Sequence, residues 1–103
     1  MKRGEIRWYR FASPDKRRPV VVLTRDSVLA YLGEVTIAPI TRTVRDVPSE
    51  VVLGTDDGMP QACAITLDHV QTVSKSRLGG VIATLPDARL GEVRNALLFA
   101  LGY

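Results

Sequence analysis

The hydrophobic residues fall into short, β-branched runs separated by polar turns, a pattern typical of strands in a small β domain. The two clearest runs cover residues 19–24 and 34–41. Residues 4–11 alternate apolar and polar side chains, as a half-buried strand does. Shorter runs predict strands at 49–53, 61–67 and 81–84, and alternation continues over 68–73.

One long helix is predicted near the C-terminal end of the sequence. Pro86 and Asp87 open it, Gly102 ends it, and apolar residues recur at helical spacing between them: Leu90, Val93, Leu97 and Leu101. Because residues 98–100 widen the apolar face, this helix either packs only on its own sheet or also lies near a second subunit. A shorter helical turn is expected at 28–32, with residues 25–27 supplying a cap.

Short strands, hairpin-type connections and one terminal helix predict a mainly β fold: a small, strongly bent antiparallel sheet or barrel that the helix closes on one side. A length of 103 residues is that of a single domain, 1–103. No apolar stretch reaches the ~18 residues that a membrane span requires. The first residues enter a strand pattern rather than an apolar signal core, so we expect a cytoplasmic protein.

The charge is unevenly distributed along the chain. Residues 1–18 carry seven basic and two acidic side chains, a balance of +5 within a net charge of +3; the basic ones are Lys2, Arg3, Arg7, Arg10, Lys16, Arg17 and Arg18. Such a basic end is either the footprint of a polyanion-binding surface or a solvated face without a partner. With only Cys63 and His69 as soft ligands, neither a disulfide framework nor a zinc site is expected, and no cofactor is predicted.

Polar residues at the ends of the two clearest strands are the first candidates for chemistry. Arg18 precedes one strand, where its guanidinium either clamps a phosphate or pairs with Asp15 or Glu34. Thr41 ends the other strand, and threonine is also a common strand residue without any function.

Three other residues each allow two interpretations. Asp68 interrupts an apolar stretch and is either a turn acceptor or a group with a chemical task. A lone histidine such as His69 is more often a hydrogen-bonded structural residue than a catalyst. Trp8, which stands among arginines, either stacks on a nucleobase or, as we expect, lies in the core.

Four motifs occur in order along the chain: KRGEI at 2–6, RPVVVL at 18–23, IAPIT at 37–41 and LDHVQTVSKSRL at 67–78. Together they resemble the MazF/PemK family of toxin endoribonucleases. The resemblance implies an SH3-like small β-barrel with a C-terminal helix, a homodimer and a cognate antitoxin partner. It also implies metal-independent cleavage of single-stranded mRNA that leaves 2′,3′-cyclic phosphate and 5′-hydroxyl ends.

Matched position by position, Arg18 corresponds to the family's catalytic arginine and Thr41 to its catalytic threonine. Asp68 matches an aspartate proposed as a base in some members, although the arginine that those members place two residues earlier is Thr66 here. We expect the remaining basic side chains near these positions to bind RNA: Lys16, Arg17, Arg42, Arg45 and His69.

Two other classes of function use a related fold. CcdB-like toxins share the barrel, cut nothing and poison DNA gyrase, which would give the role to the C-terminal residues 101–103. An SH3-like module without activity would bind RNA and leave it intact. The matches at Arg18 and Thr41 favour the nuclease over both.

Overall fold

The computed structural model describes residues 1–12 and 17–103, and this part of the chain contains seven β-strands and one α-helix. The strands are β1 (Glu5–Arg10), β2 (Arg17–Val22), β3 (Glu34–Thr41), β4 (Glu50–Leu53), β5 (Cys63–Thr66), β6 (Gln71–Ser74) and β7 (Leu78–Thr84). The helix α1 spans Asp87–Leu101. No helix in the described ranges is both long enough and apolar enough to cross a membrane.

Strand β3 is the centre of an antiparallel sheet with the order β4-β5-β3-β2-β1-β7. One edge of β3 pairs with β2, while the other pairs first with β6, over Glu34–Ile37, and then with β5, at Ile40 and Thr41. Pro39 lies between these two ladders, where its missing N–H costs no hydrogen bond. The sheet therefore changes partners at the proline and bends, and among the described residues β4 and β7 do not pair to close it.

Two hydrophobic clusters cover the two faces of this bent sheet. The first contains Val21 and packs against α1 through Val93; the second contains Val20 and Val22 and includes Leu29 from the turn after β2. A strand buried on both faces loses the alternation of a half-buried one. For this reason the sequence of β2 contains a continuous apolar run instead of alternating apolar and polar residues.

Strand β1 departs from the predicted pattern. Tyr9 is buried in the second cluster, whereas Trp8 is only half buried, so the expectation of Trp8 in the core is wrong. The ladder between β1 and β7 is irregular, with register shifts on both sides of Arg7. Such irregularities turn successive side chains away from strict alternation.

Helix α1 has the predicted ends. It follows Pro86, and Gly102 adopts a left-handed conformation with φ of 80°, donating its N–H to the last turn. The apolar face is only partly covered, because Val93 is buried while Phe99 and Leu101 are exposed.

Two other expectations need correction. The first is that β2 begins at Arg17 rather than at Pro19, because the hairpin with β1 extends to the pair Arg10 and Arg17. The second concerns Asp26, which does not cap the turn that follows it: its Oδ1 accepts a hydrogen bond from the N–H of Arg3 at 2.6 Å.

Candidate functional site

A cleft of about 530 Å³ lies where β2 begins and β3 ends. The β2–β3 register pairs Val20 with Pro39. The β2–β3 ladder ends at this pair, and beyond it Arg18 on β2 and Thr41 on β3 both line the cleft. The two strands thus bring to one cleft two residues that are 23 positions apart in the sequence.

Three guanidinium groups, from Arg17, Arg18 and Arg42, line the cleft, and none of its described lining residues is acidic or a histidine. Within 1–12 and 17–103, Arg18 and Arg42 make no ion pair or side-chain hydrogen bond, and Glu34 is not a partner of Arg18. The alternative partner, Asp15, lies outside the described residues. Uncompensated guanidinium groups in a concave site favour an anion such as phosphate.

The hydroxyl of Thr41 is oriented by its own backbone turn. Its Oγ1 accepts a hydrogen bond from the N–H of Thr43 at 3.1 Å. Because a hydroxyl has one proton to donate as well as lone pairs to accept with, the Thr41 proton remains available to a ligand oxygen.

An aromatic ring forms another part of the lining. The guanidinium carbon of Arg17 lies 4.6 Å from the centre of the Trp8 ring, a cation–π contact. This contact places the exposed side chain of Arg17 against Trp8, another lining residue of the cleft.

Three other predicted residues, Asp68, His69 and Arg45, do not line the cleft. Asp68 lies in the turn between β5 and β6, where a carboxylate oxygen accepts a hydrogen bond from Oγ of the buried Ser49 at 2.5 Å. His69 is exposed in the same turn. Arg45 is exposed in the loop after β3, and Lys16 lies outside the described residues. The roles assigned to these four residues stay predictions.

Comparison with known proteins identifies the family. The family of PemK-like, MazF-like toxins of type II toxin-antitoxin systems matches residues 2–101. The chain belongs to this family.

Curated relatives match over nearly the full length of the chain. The probable endoribonuclease MazF5 of Mycobacterium tuberculosis is 40% identical over 100 residues, which is 96% of this chain and 91% of the relative. The probable endoribonuclease MazF2 of the same species is 36% identical over 103 residues, or 99% of each protein.

Solved structures confirm the MazF/PemK fold. The Mycobacterium tuberculosis toxin MazF-mt6 superposes with a TM-score of 0.87 at 34% identity, covering 95% of this chain and 96% of that one. MazF in a MazE-MazF crystal structure from Deinococcus radiodurans gives a TM-score of 0.83 at 27% identity, covering 99% and 96%. The fold and family expected from the four motifs are therefore both confirmed.

Sequence reasoning missed part of the lining of this MazF/PemK-like cleft. The segment before β5 contributes Met59, Pro60 and Gln61, and β7 contributes Ile82. No local signal marks these residues, because the path of the sheet alone brings them to the two arginines of β2. Trp8 had such a signal, since an aromatic residue among arginines is a candidate stacking surface.

Cys63 also lines the cleft, and its thiol stays neutral near pH 7. Burial raises the pKa of the Cys63 thiol, and the charge of Asp57 raises it further. A neutral thiol is a poor nucleophile, so Cys63 contributes an apolar surface rather than covalent chemistry. Among the described residues, no group of three or more His, Cys, Asp and Glu side chains has the arrangement of a metal site.

Proposed function

We propose that this MazF/PemK-like protein is a toxin endoribonuclease that cleaves single-stranded mRNA by attack of the RNA's own 2′-hydroxyl. The observation that carries the proposal is the cleft itself, which Arg18 and Thr41 both line and in which three arginines meet no carboxylate among the described lining residues. The names of the curated relatives, both endoribonucleases, support the same activity.

The reaction suits this set of side chains because the substrate supplies the nucleophile. The 2′-oxygen bonds to phosphorus as the bond to the 5′-oxygen breaks, which leaves a 2′,3′-cyclic phosphate and a 5′-hydroxyl. The 2′-hydroxyl proton passes to solvent, and the departing 5′-oxygen takes one proton from solvent. No metal-activated water is needed at any step.

The catalytic task that remains is to stabilise charge on the phosphorane. Arg18 places a permanent positive charge where that negative charge develops, and the free proton of Thr41 donates to a non-bridging oxygen. Arg17 and Arg42 bind the flanking phosphates. The apolar lining, including Ile82, accepts the bases of an unpaired strand, as single-stranded recognition requires.

The expected partners follow from the family. The MazE-MazF structures show MazF with an antitoxin in Deinococcus radiodurans, and we propose that this chain also has a cognate antitoxin. We further propose a homodimer that covers the exposed Phe99 and Leu101 of α1, and a cytoplasmic location. A mass of one chain in light scattering at micromolar concentration would count against the dimer.

The test is cleavage of a long single-stranded RNA in excess EDTA, with mapping of the new 5′ ends. Arg18→Ala should lower the rate about 10²- to 10³-fold, the usual effect of losing one transition-state contact. Arg94→Ala is the matched control, because Arg94 is exposed on α1 and does not line the cleft.

The outcomes distinguish the proposal from its rivals. Discrete cuts with 5′-hydroxyl ends, lost only in Arg18→Ala, are expected. Equal rates for the two variants would remove Arg18 from the mechanism. Intact RNA with the unmodified protein would overturn the nuclease proposal in favour of a gyrase poison or a binding module.

A further inference from the structure

One side of the cleft is built by a segment that belongs to no strand. Residues 59–61 run between the turn at Thr55–Asp57 and the start of β5, and all three line the cleft. Met59 anchors the segment, since its side chain is buried in the same cluster as Val93 of α1. We call these three residues the cleft segment.

An ion pair with helix α1 fixes the turn that leads into the cleft segment. The Asp57 carboxylate accepts two hydrogen bonds from Arg89, from Nε and from Nη2, each 3.0 Å long. The same carboxylate accepts a hydrogen bond of 3.0 Å from the N–H of Gly54, and this bond closes the turn. Gly58 follows with φ of 85°, a conformation that turns the chain toward Met59.

The carboxylate of this ion pair is largely buried, while its guanidinium is partly exposed. The side chain of Asp57 is 8% exposed and that of Arg89 is 28% exposed. A bidentate guanidinium–carboxylate contact fixes orientation as well as distance. The first turn of α1 therefore determines where the cleft segment lies, although Arg89 itself does not line the cleft.

Gln61 is the one described lining residue with a side-chain amide. It is exposed, and within the described ranges its amide makes no hydrogen bond to another side chain or to the backbone. An amide offers a donor and an acceptor side by side, the pattern that pairs with the edge of a nucleobase. The arginines nearby recognise phosphate, which is the same at every nucleotide, so they cannot distinguish bases.

We propose that Gln61 is a specificity-determining residue that reads one base of the RNA, and that Arg89 is a positioning residue that acts on Gln61 through Asp57. The inference rests on the proposed ribonuclease function. It assigns base choice to a segment outside strands β2 and β3, which supply Arg18 and Thr41.

The first experiment maps cleavage sites on a long RNA and then measures rates on oligonucleotides that vary one base at a time around the cut. Gln61→Glu replaces the donor of the amide with an acceptor, and Gln61→Ala removes both. A good bidentate base contact discriminates by about 5- to 150-fold, so preference at one nucleotide position should fall by that factor in Gln61→Ala. Gln61→Glu should change which base is preferred there.

Gln71→Ala is the matched control, since Gln71 is exposed on β6 and does not line the cleft. It should cut the same sites as the unmodified protein. Unchanged preference in both Gln61 variants, with cleavage retained, would overturn the inference and leave the nuclease proposal intact. Absence of cleavage by the unmodified protein would overturn both the inference and the nuclease proposal.

The second experiment tests positioning by Arg89. Arg89→Met keeps the length of the side chain without its charge, and Arg89→Lys keeps the charge without the bidentate geometry. Both should lose preference at the same nucleotide position as Gln61→Ala, and the Gln61→Ala/Arg89→Met double variant should lose no more than Gln61→Ala alone.

A purely structural role for Arg89 predicts a different result. A smaller fraction of folded protein would then reduce the cleavage rate on every oligonucleotide equally and leave the base preference unchanged. That result in Arg89→Lys, the milder variant, would overturn the positioning role. Arg94→Ala controls for removal of a positive charge from α1.

Discussion

The ion pair between Asp57 and Arg89 should make a measurable contribution to the free energy of unfolding. Hydrogen bonds to charged groups contribute about 1.5–3 kcal/mol each, and breaking a fully buried pair costs about 3–5 kcal/mol. Arg89 is 28% exposed, so solvent screens part of this interaction. We therefore expect a coupling energy of about 2 kcal/mol between the two side chains.

A double-mutant cycle isolates this energy. It compares the unmodified protein, Asp57→Asn, Arg89→Met and the double variant by urea unfolding near pH 7. All four are measured at one protein concentration, because an oligomer's apparent stability depends on concentration. Glu92→Gln is the control: Glu92 also contacts Arg89, but its side chain is 53% exposed, and its loss should cost no more than about 0.5 kcal/mol.

Acid should remove the coupling, and the sign follows from the pKa of Asp57. Hydrogen bonds from Arg89 hold the pKa of the Asp57 carboxyl below its usual range. The stabilisation is thus complete above the unfolded-state pKa, about 4, and is lost as the pH falls through the lower folded-state value. A coupling below about 0.5 kcal/mol at pH 7, or one that persists after the carboxyl is protonated, would refute the reasoning.

Two further predictions concern the cleft and the core. Because no histidine or carboxylate is among the described lining residues, the cleavage rate should show no histidine inflection between about pH 5 and 8; an inflection that disappears in His69→Ala would bring His69 into the reaction. Ile37 is fully buried at the centre of β3, so Ile37→Ala should lower the free energy of unfolding by about 2–5 kcal/mol. Val52 is exposed, and Val52→Ala should lower it by less than about 1 kcal/mol in the same urea titration. Equal losses of unfolding free energy in Ile37→Ala and Val52→Ala would mean that the second cluster does not form as described.

Strand β3 and helix α1 could be predicted from the sequence because interactions between neighbouring residues determine them. The run at 34–41 is strand β3 with the predicted bounds, and the helix begins and ends at its proline and glycine. These signals depend on residues close together in sequence: β-branched side chains, a missing N–H, and a residue that tolerates positive φ. Thr41 ends β3 as predicted, whereas Arg18 lies one residue inside β2, because the pairing with β1 extends to Arg17.

The sequence by itself therefore determined strand β3, helix α1 and the family, and it leaves the catalytic roles of Arg18 and Thr41 as predictions. Only the tertiary structure decided that Asp68 bonds to Ser49 away from the cleft, that Trp8 leaves the core, and that residues 59–61 complete the site. The physical reason is that these outcomes depend on contacts between distant segments. Arg89 meets Asp57 across 32 positions, and no pattern within either segment encodes where the other will lie.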